Sequence, residues 1–188
     1  TNNKLVAFDT GPANYIYDGL MREKYKMDYD KSGKIAKNGK VDNNALLKLL
    51  SHQYFKILPP KSTGFEMFNL KWFYKTIKRF NIKSKSSLVA TAAQLTVISI
   101  SDAINKMQLD SHDIFFCGGG AKNLFIKKEI LKRTALNEIK VLPYGLDYKN
   151  IESTSFAWLA KMRINKKHIK DTQVTGAKRA RYIGTIFR

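Results

Sequence analysis

The sequence predicts an α/β fold, and three features of it do so. Short apolar runs stop abruptly at glycine-bearing turns. Longer stretches between them repeat apolar residues every three or four positions. The two kinds of segment alternate, as helices laid over a sheet require. With 188 residues, 44% of them hydrophobic, the chain can bury the core of one large domain, or of a compact domain with an extension.

Residues 4–8 (Lys-Leu-Val-Ala-Phe) read as a buried strand that runs into Asp9-Thr10-Gly11-Pro12. Residues 15–24 form a helix with Ile16, Leu20 and Met21 on one side, and the polar segment 28–41 reads as a loop. Asp42 caps a helix through Leu50. Pro59-Pro60 breaks the chain ahead of a turn at Lys61-Ser62-Thr63-Gly64, and Asn69 starts an amphipathic helix to about Phe80. The longest periodic segment, 86–107, carries Leu88, Ala92, Leu95, Ile98, Ala103 and Met107 and suits a well-buried helix. A second strand over 113–117 runs straight into Gly118-Gly119-Gly120. A helix over 123–134, a third strand over 139–142, a buried-looking helix over 152–162 and a short last strand over 181–187 complete the reading. Several helices between the first two strands argue against a minimal βαβ array.

The net charge of +19 resembles a nucleic-acid signal. Yet lysine far outnumbers arginine, asparagine and isoleucine are abundant, and the lysines are dispersed, as an AT-rich coding sequence would write into any protein. No base-reading motif accompanies the charge, so no specific nucleic-acid partner is expected. The single cysteine, Cys117, forms no internal disulfide. It suits a reducing cytoplasm and reads as a small core residue, with no partner for a nucleophile. No signal peptide and no run of about 18 apolar residues is read, so no membrane partner is expected. The chain opens on Thr1 with a strand-like run at once, which reads as part of a longer protein. His52, His112 and His168 lack metal-ligand spacing, so no metal site is assigned. Trp72, Phe73 and Tyr74 read as core and rim.

Two segments carry chemistry. Asp9 stands at the exit of an apolar strand, the ligand side of an α/β sheet, and Gly11 allows backbone to approach a phosphate. The plain alternative is a strand exit in which Asp9 caps the following turn. Gly118-Gly119-Gly120, between a strand and a helix N-terminus, suits a ligand lying on bare backbone. Its alternative is a flexible connection. Glu152, in a first helical turn, also suits a simple dipole partner.

The ordered set Ala7-Phe8-Asp9-Thr10-Gly11-Pro12, Pro59-Pro60-Lys61-Ser62-Thr63-Gly64, Phe68-Asn69-Leu70, Cys117-Gly118-Gly119-Gly120-Ala121-Lys122-Asn123, Phe156-Ala157-Trp158-Leu159-Ala160 and Val174-Thr175-Gly176-Ala177 resembles the anhydro-N-acetylmuramic acid kinase family. The resemblance covers essentially all 188 residues but only the C-terminal half of that family's usual chain. It implies an actin-like, ribonuclease-H-like lobe with a mixed sheet flanked by helices. Residues 1–188 would be the C-terminal lobe of a two-lobed sugar kinase, the N-terminal lobe and its first phosphate loop lying outside this chain. It implies ATP and Mg²⁺, and hydrolysis of a 1,6-anhydro bond with phosphorylation of O6, as in peptidoglycan recycling. By motif match Asp9 is the base that activates water, and Thr10 and Gly11 line the phosphates. Gly118, Gly119, Gly120 and Asn123 hold the adenosine end, and Asn14 and Glu152 contact the sugar. The partners are then ATP and a small-molecule sugar, in the cytoplasm, with a homodimer left open. Four positions depart from the family pattern: Ala13 stands for Gly, Phe65 for Arg, and Ser153 and Thr154 for smaller residues. A related sugar is the alternative substrate, and a non-catalytic fragment or basic binding module the alternative role.

Overall fold

The computed structural model describes residues 5–109, 111–140, 149–169, 174 and 178–187. The chain divides into two compact units, one of Asp9–Ile57 with Ser62–Lys140, the other of Thr1–Phe8, Leu58–Lys61 and Val141–Arg188.

The larger unit is mostly helical. Its axis is α5 (Lys85–Lys106), started by Ser84, whose hydroxyl accepts the Ser87 N–H. Leu88, Val89, Ala92, Leu95 and Val97 of α5 are buried. Against it pack α1 (Tyr15–Tyr25), α2 (Lys34–Asn38), α3 (Asn43–Leu50) and α6 (Leu124–Thr134), with α4 (Leu70–Ile77) against α1 and α3. Ile16, Leu20 and Met21 of α1, Leu46 and Leu49 of α3, Phe73 and Ile77 of α4, and Ile126 and Ile130 of α6 fill the core between them. Burial of this apolar face, rather than helix propensity, stabilises helices this short. By length and composition α5 could cross a membrane, which corrects the reading that no stretch approaches a span. Its burial here explains the composition: it is apolar because its neighbours enclose it.

The expected cap at Asp42 forms, and Asn69 and Asn123, expected as helix starts, are caps as well. Asp42 accepts the Ala45 N–H, Asn69 the Trp72 N–H and Asn123 the Ile126 N–H. Segment 28–41 is not a loop throughout: a 3₁₀ turn at Lys31–Gly33 leads into α2. The buried Asp30 carboxylate organises it, accepting the N–H groups of Ile35 and Ala36 and the Tyr17 hydroxyl at 2.6 Å. A five-residue helix held by one side chain shows no period to read. Gly33 is required there, since a methyl group would come within 2.4 Å of Phe125 Cβ.

The sheet is smaller than expected, and the mixed sheet is corrected: among the described residues two strands form, β1 (Asp113–Ile114) and β2 (Asn137–Glu138), and they pair in parallel. Register places Asp113 opposite Asn137 and Ile114 opposite Glu138. The α/β class therefore holds only as a helical body with a short parallel ladder. Residues 5–8 form no strand, and Leu5 and Val6 are exposed. An extended run becomes a strand only where a neighbour takes its backbone hydrogen bonds, and none does so among the described residues. Residues 115–117 are unpaired for the same reason, and Cys117 is exposed rather than core. The third strand falls at Asn137–Glu138 instead of 139–142, of which 141 and 142 lie outside the described residues.

The smaller unit contains α7 (Ile151–Ile164). Contrary to the buried-looking reading, α7 buries no residue, and Phe156 and Trp158 are exposed. Apolar composition marks a face able to be covered; covering it takes a neighbour. The last strand reduces to one antiparallel bridge, Ile169 with Arg181. Arg163 donates to the Gly184 carbonyl at 2.9 Å and lies over the Tyr182 ring. Residues 175–177 of the last family motif lie outside the described residues.

Candidate active site

The larger unit presents two polar features. The first surrounds Asp9. The Ser62 hydroxyl donates to Asp9 Oδ2 at 2.7 Å and the Thr63 N–H to the same oxygen at 3.0 Å. The Tyr54 hydroxyl donates to the Asp9 carbonyl at 2.7 Å. Both side chain and backbone of Asp9 are thus held by a segment about fifty residues away. The carboxylate is exposed, and Oδ1 has no protein donor among the described residues. One oxygen is anchored and the other faces outward, an arrangement suited to accepting a proton. Thr10 is half-buried. Gly11 has a packing reason of its own: a methyl there would come within 2.9 Å of Phe55 Cε1 and 3.3 Å of Ser99.

The second feature is a cavity of about 190 Å³ between α1, the Asp30 segment and the glycine run. Asn14, Asp18, Tyr29, Gly119 and Lys122 line it, and the buried Asn123 closes its floor. Gly119–Lys122 is a 3₁₀ turn entered through Gly118, whose φ of 75° favours glycine. Added methyl groups at Gly118 or Gly119 would meet nothing within 4 Å, so both backbones are open. Gly120 faces Asn14, whose Nδ2 would lie 3.0 Å from such a methyl.

Behind the cavity Asn123 is committed twice. Its Oδ1 caps α6, and its Nδ2 donates to the Tyr17 hydroxyl at 3.3 Å, which in turn donates to Asp30. Burial pushes the Tyr17 hydroxyl far above the ordinary phenol range, and the bond to Asp30 reinforces the effect. The chain of bonds ties α1, α2 and α6 together beneath the glycine turn, so Asn123 reaches the cavity as a framing residue. Burial also raises the Asp18 carboxyl, with Arg22 partly offsetting it.

The expected residues therefore fall into three places. Asp9, Thr10 and Gly11 lie on one turn, with Ser62, Thr63 and Tyr54 as holders. Asn14, expected with the sugar, shares the cavity with Gly119 and Asn123. Glu152 lies exposed in the first turn of α7, in the smaller unit. Sequence reasoning passed over Tyr17, Asp18, Tyr29, Asp30 and Lys122. The turn Lys61-Ser62-Thr63-Gly64 was in view, but nothing in its spacing pointed back to Asp9. Phe65 is exposed and packs on Tyr15, ring centres 6.2 Å apart.

A held carboxylate and a cavity lined by a glycine turn thus lie on one helical α/β body. The family model described as anhydro-N-acetylmuramic acid kinase matches residues 1–188, and the chain belongs to that family. Proteins named anhydro-N-acetylmuramic acid kinase resemble it throughout. The one from Pasteurella multocida is 35% identical over 189 residues, 99% of this chain and 50% of that protein. The one from Shewanella amazonensis is 36% identical over 97% of this chain and 50% of that protein. For Pseudomonas savastanoi the figures are 34%, 100% and 52%. The chain thus spans about half the length of the curated relatives it matches.

Proposed function

We propose that residues 1–188 are the C-terminal, actin-like lobe of an ATP-dependent kinase. The kinase would open the 1,6-anhydro bond of anhydro-N-acetylmuramic acid and phosphorylate O6, giving N-acetylmuramic acid 6-phosphate, in the cytoplasm. The observation that carries this reading is Asp9, anchored through Oδ2 by Ser62 and Thr63, with no donor to Oδ1 among the described residues. In this reading Oδ1 takes a proton from water as the hydroxyl adds to the anomeric carbon. The bond from the anomeric carbon to O6 breaks, its electron pair passing to O6, and O6 takes the terminal phosphoryl group of ATP as ADP leaves. Ser62 and Thr63 hold the carboxylate in one orientation while it does so. Thr10 and Gly11 meet the phosphates, Gly118 to Gly120 carry the adenosine end, and Glu152 contacts the sugar. Magnesium would neutralise phosphate charge in such a kinase. No group of three ligating side chains stands ready for it among the described residues, and no step here runs through it.

The test is Asp9→Asn in a kinase of the family's full length carrying this chain. The amide keeps an oxygen for Ser62 and Thr63 but cannot take the proton. Turnover should fall about 10²- to 10⁴-fold, with ATP affinity nearly unchanged. Activity within a few-fold of the unmutated protein sinks the assignment. Phe65, exposed where the family usually has Arg, favours a related anhydro sugar as the second reading, which a substrate panel separates.

A further inference from the structure

We propose that Asp18, with Asn14, binds the ribose hydroxyls of the nucleotide and makes the cavity selective for ribonucleotides. This rests on the nucleotide reading of the glycine run. Asn14, the residue that precedes α1, and Asp18 in its first turn stand one turn apart, and both line the cavity with Gly119. The other buried polar groups there are occupied: Asp30 by Tyr17 and two backbone N–H groups, Asn123 by α6 and Tyr17. The Asp18 carboxylate is half-buried and makes no hydrogen bond or ion pair among the described residues. Arg22, four residues on, reaches it only as a field. A half-buried acceptor without a donor costs free energy until a donor arrives.

The chemistry of that donor is restricted. An ionised carboxylate accepts only, and its two oxygens suit two neighbouring hydroxyls. It repels phosphate, so the phosphates of a bound nucleotide lie away from it and the uncharged, hydroxyl-bearing part lies against it. The Asn14 amide, also without a hydrogen bond among the described residues, supplies a donor beside Gly120. At the rim the Tyr29 ring is 58% exposed and offers a face on which a base can stack.

The experiment is a titration of the 188-residue chain with ATP, 2′-deoxy-ATP and 3′-deoxy-ATP, followed by amide NMR shifts in α1 and the glycine turn. We expect each missing hydroxyl to weaken binding about tenfold or more, the worth of a hydrogen bond to a charged group. Asp18→Ala should lower ATP affinity to the level of the deoxy analogues and abolish the discrimination. Its unfolding curve should stay cooperative, since the Asp18 carboxylate makes no hydrogen bond among the described residues. Equal affinity for all three nucleotides overturns the role of Asp18 and leaves the nucleotide site standing. Discrimination that survives in Asp18→Ala also overturns it. No ATP-dependent shift in α1 or the glycine turn overturns the nucleotide assignment of the cavity together with this inference.

Discussion

Ala13 adopts a φ of 44°, left-handed backbone that an L side chain resists. It sits between the turn of Asp9 and the start of α1, where the resembling family has glycine. Thr96 helps hold the conformation by donating its hydroxyl to the Ala13 carbonyl at 2.5 Å. Ala13→Gly relieves roughly 1–2 kcal/mol of strain and gives back roughly 0.4–1 kcal/mol through a freer unfolded chain. A net gain of about 0.5–1 kcal/mol should appear as a higher urea midpoint. Asp18 yields a second expectation at this scale. Its carboxyl lies above 3.8 in the fold, through burial first. The native state therefore holds this proton more tightly than the unfolded chain does. Asp18 lowers stability as pH rises from the unfolded value through the folded one, and the loss persists at neutral pH. Asp18→Asn should be more stable than the parent at pH 7, with the advantage vanishing below about pH 3.8. Urea midpoints at a series of pH values read this directly.

Among the elements, helices with a cap and a period were legible. Asp42, Asn69 and Asn123 each announce a helix start, and each side chain makes its capping bond. What sequence could not supply was any element whose cause lies elsewhere in the chain. Short helix α2 depends on Asp30, which in turn depends on Tyr17. Strand 113–117 shrank to two residues because pairing ends with β2. The glycine turn was located correctly, and its role can be separated from its folding. Gly119 has open space around its missing side chain and does not have a positive φ. Gly119→Val should change folding stability by less than about 1 kcal/mol, the range of helical propensity differences. It should weaken ATP binding tenfold or more by filling cavity space. Equal losses in thermal stability and affinity would make the turn purely structural.

For the whole molecule, the relevant fact is length. The chain spans about half the length of its relatives, and among the described residues the core lies in one of its two units. Phosphoryl transfer depends on groups positioned around both reactants and on closure that excludes water. The 188-residue chain alone should therefore show no sugar-dependent ADP release in a coupled assay. Mixing it with the other half of the family's length should restore activity if the two associate. Robust turnover by the chain alone would show that it carries a complete active site.

Family membership, helix starts, the Asp9 turn and the glycine run were determined by the sequence itself. Each is local: a cap acts within three residues, a helical face repeats every 3.6 residues, and a motif is an ordered string. Tertiary structure alone decided that Ser62 and Thr63 hold Asp9, that Asn14 shares a cavity with Gly119, and that Asn123 frames it through Tyr17. Those contacts join residues 53 to 106 positions apart. No local preference encodes such pairs; Asn14 and Tyr17 meet Gly119 and Asn123 because α1 and α6 both pack on α5.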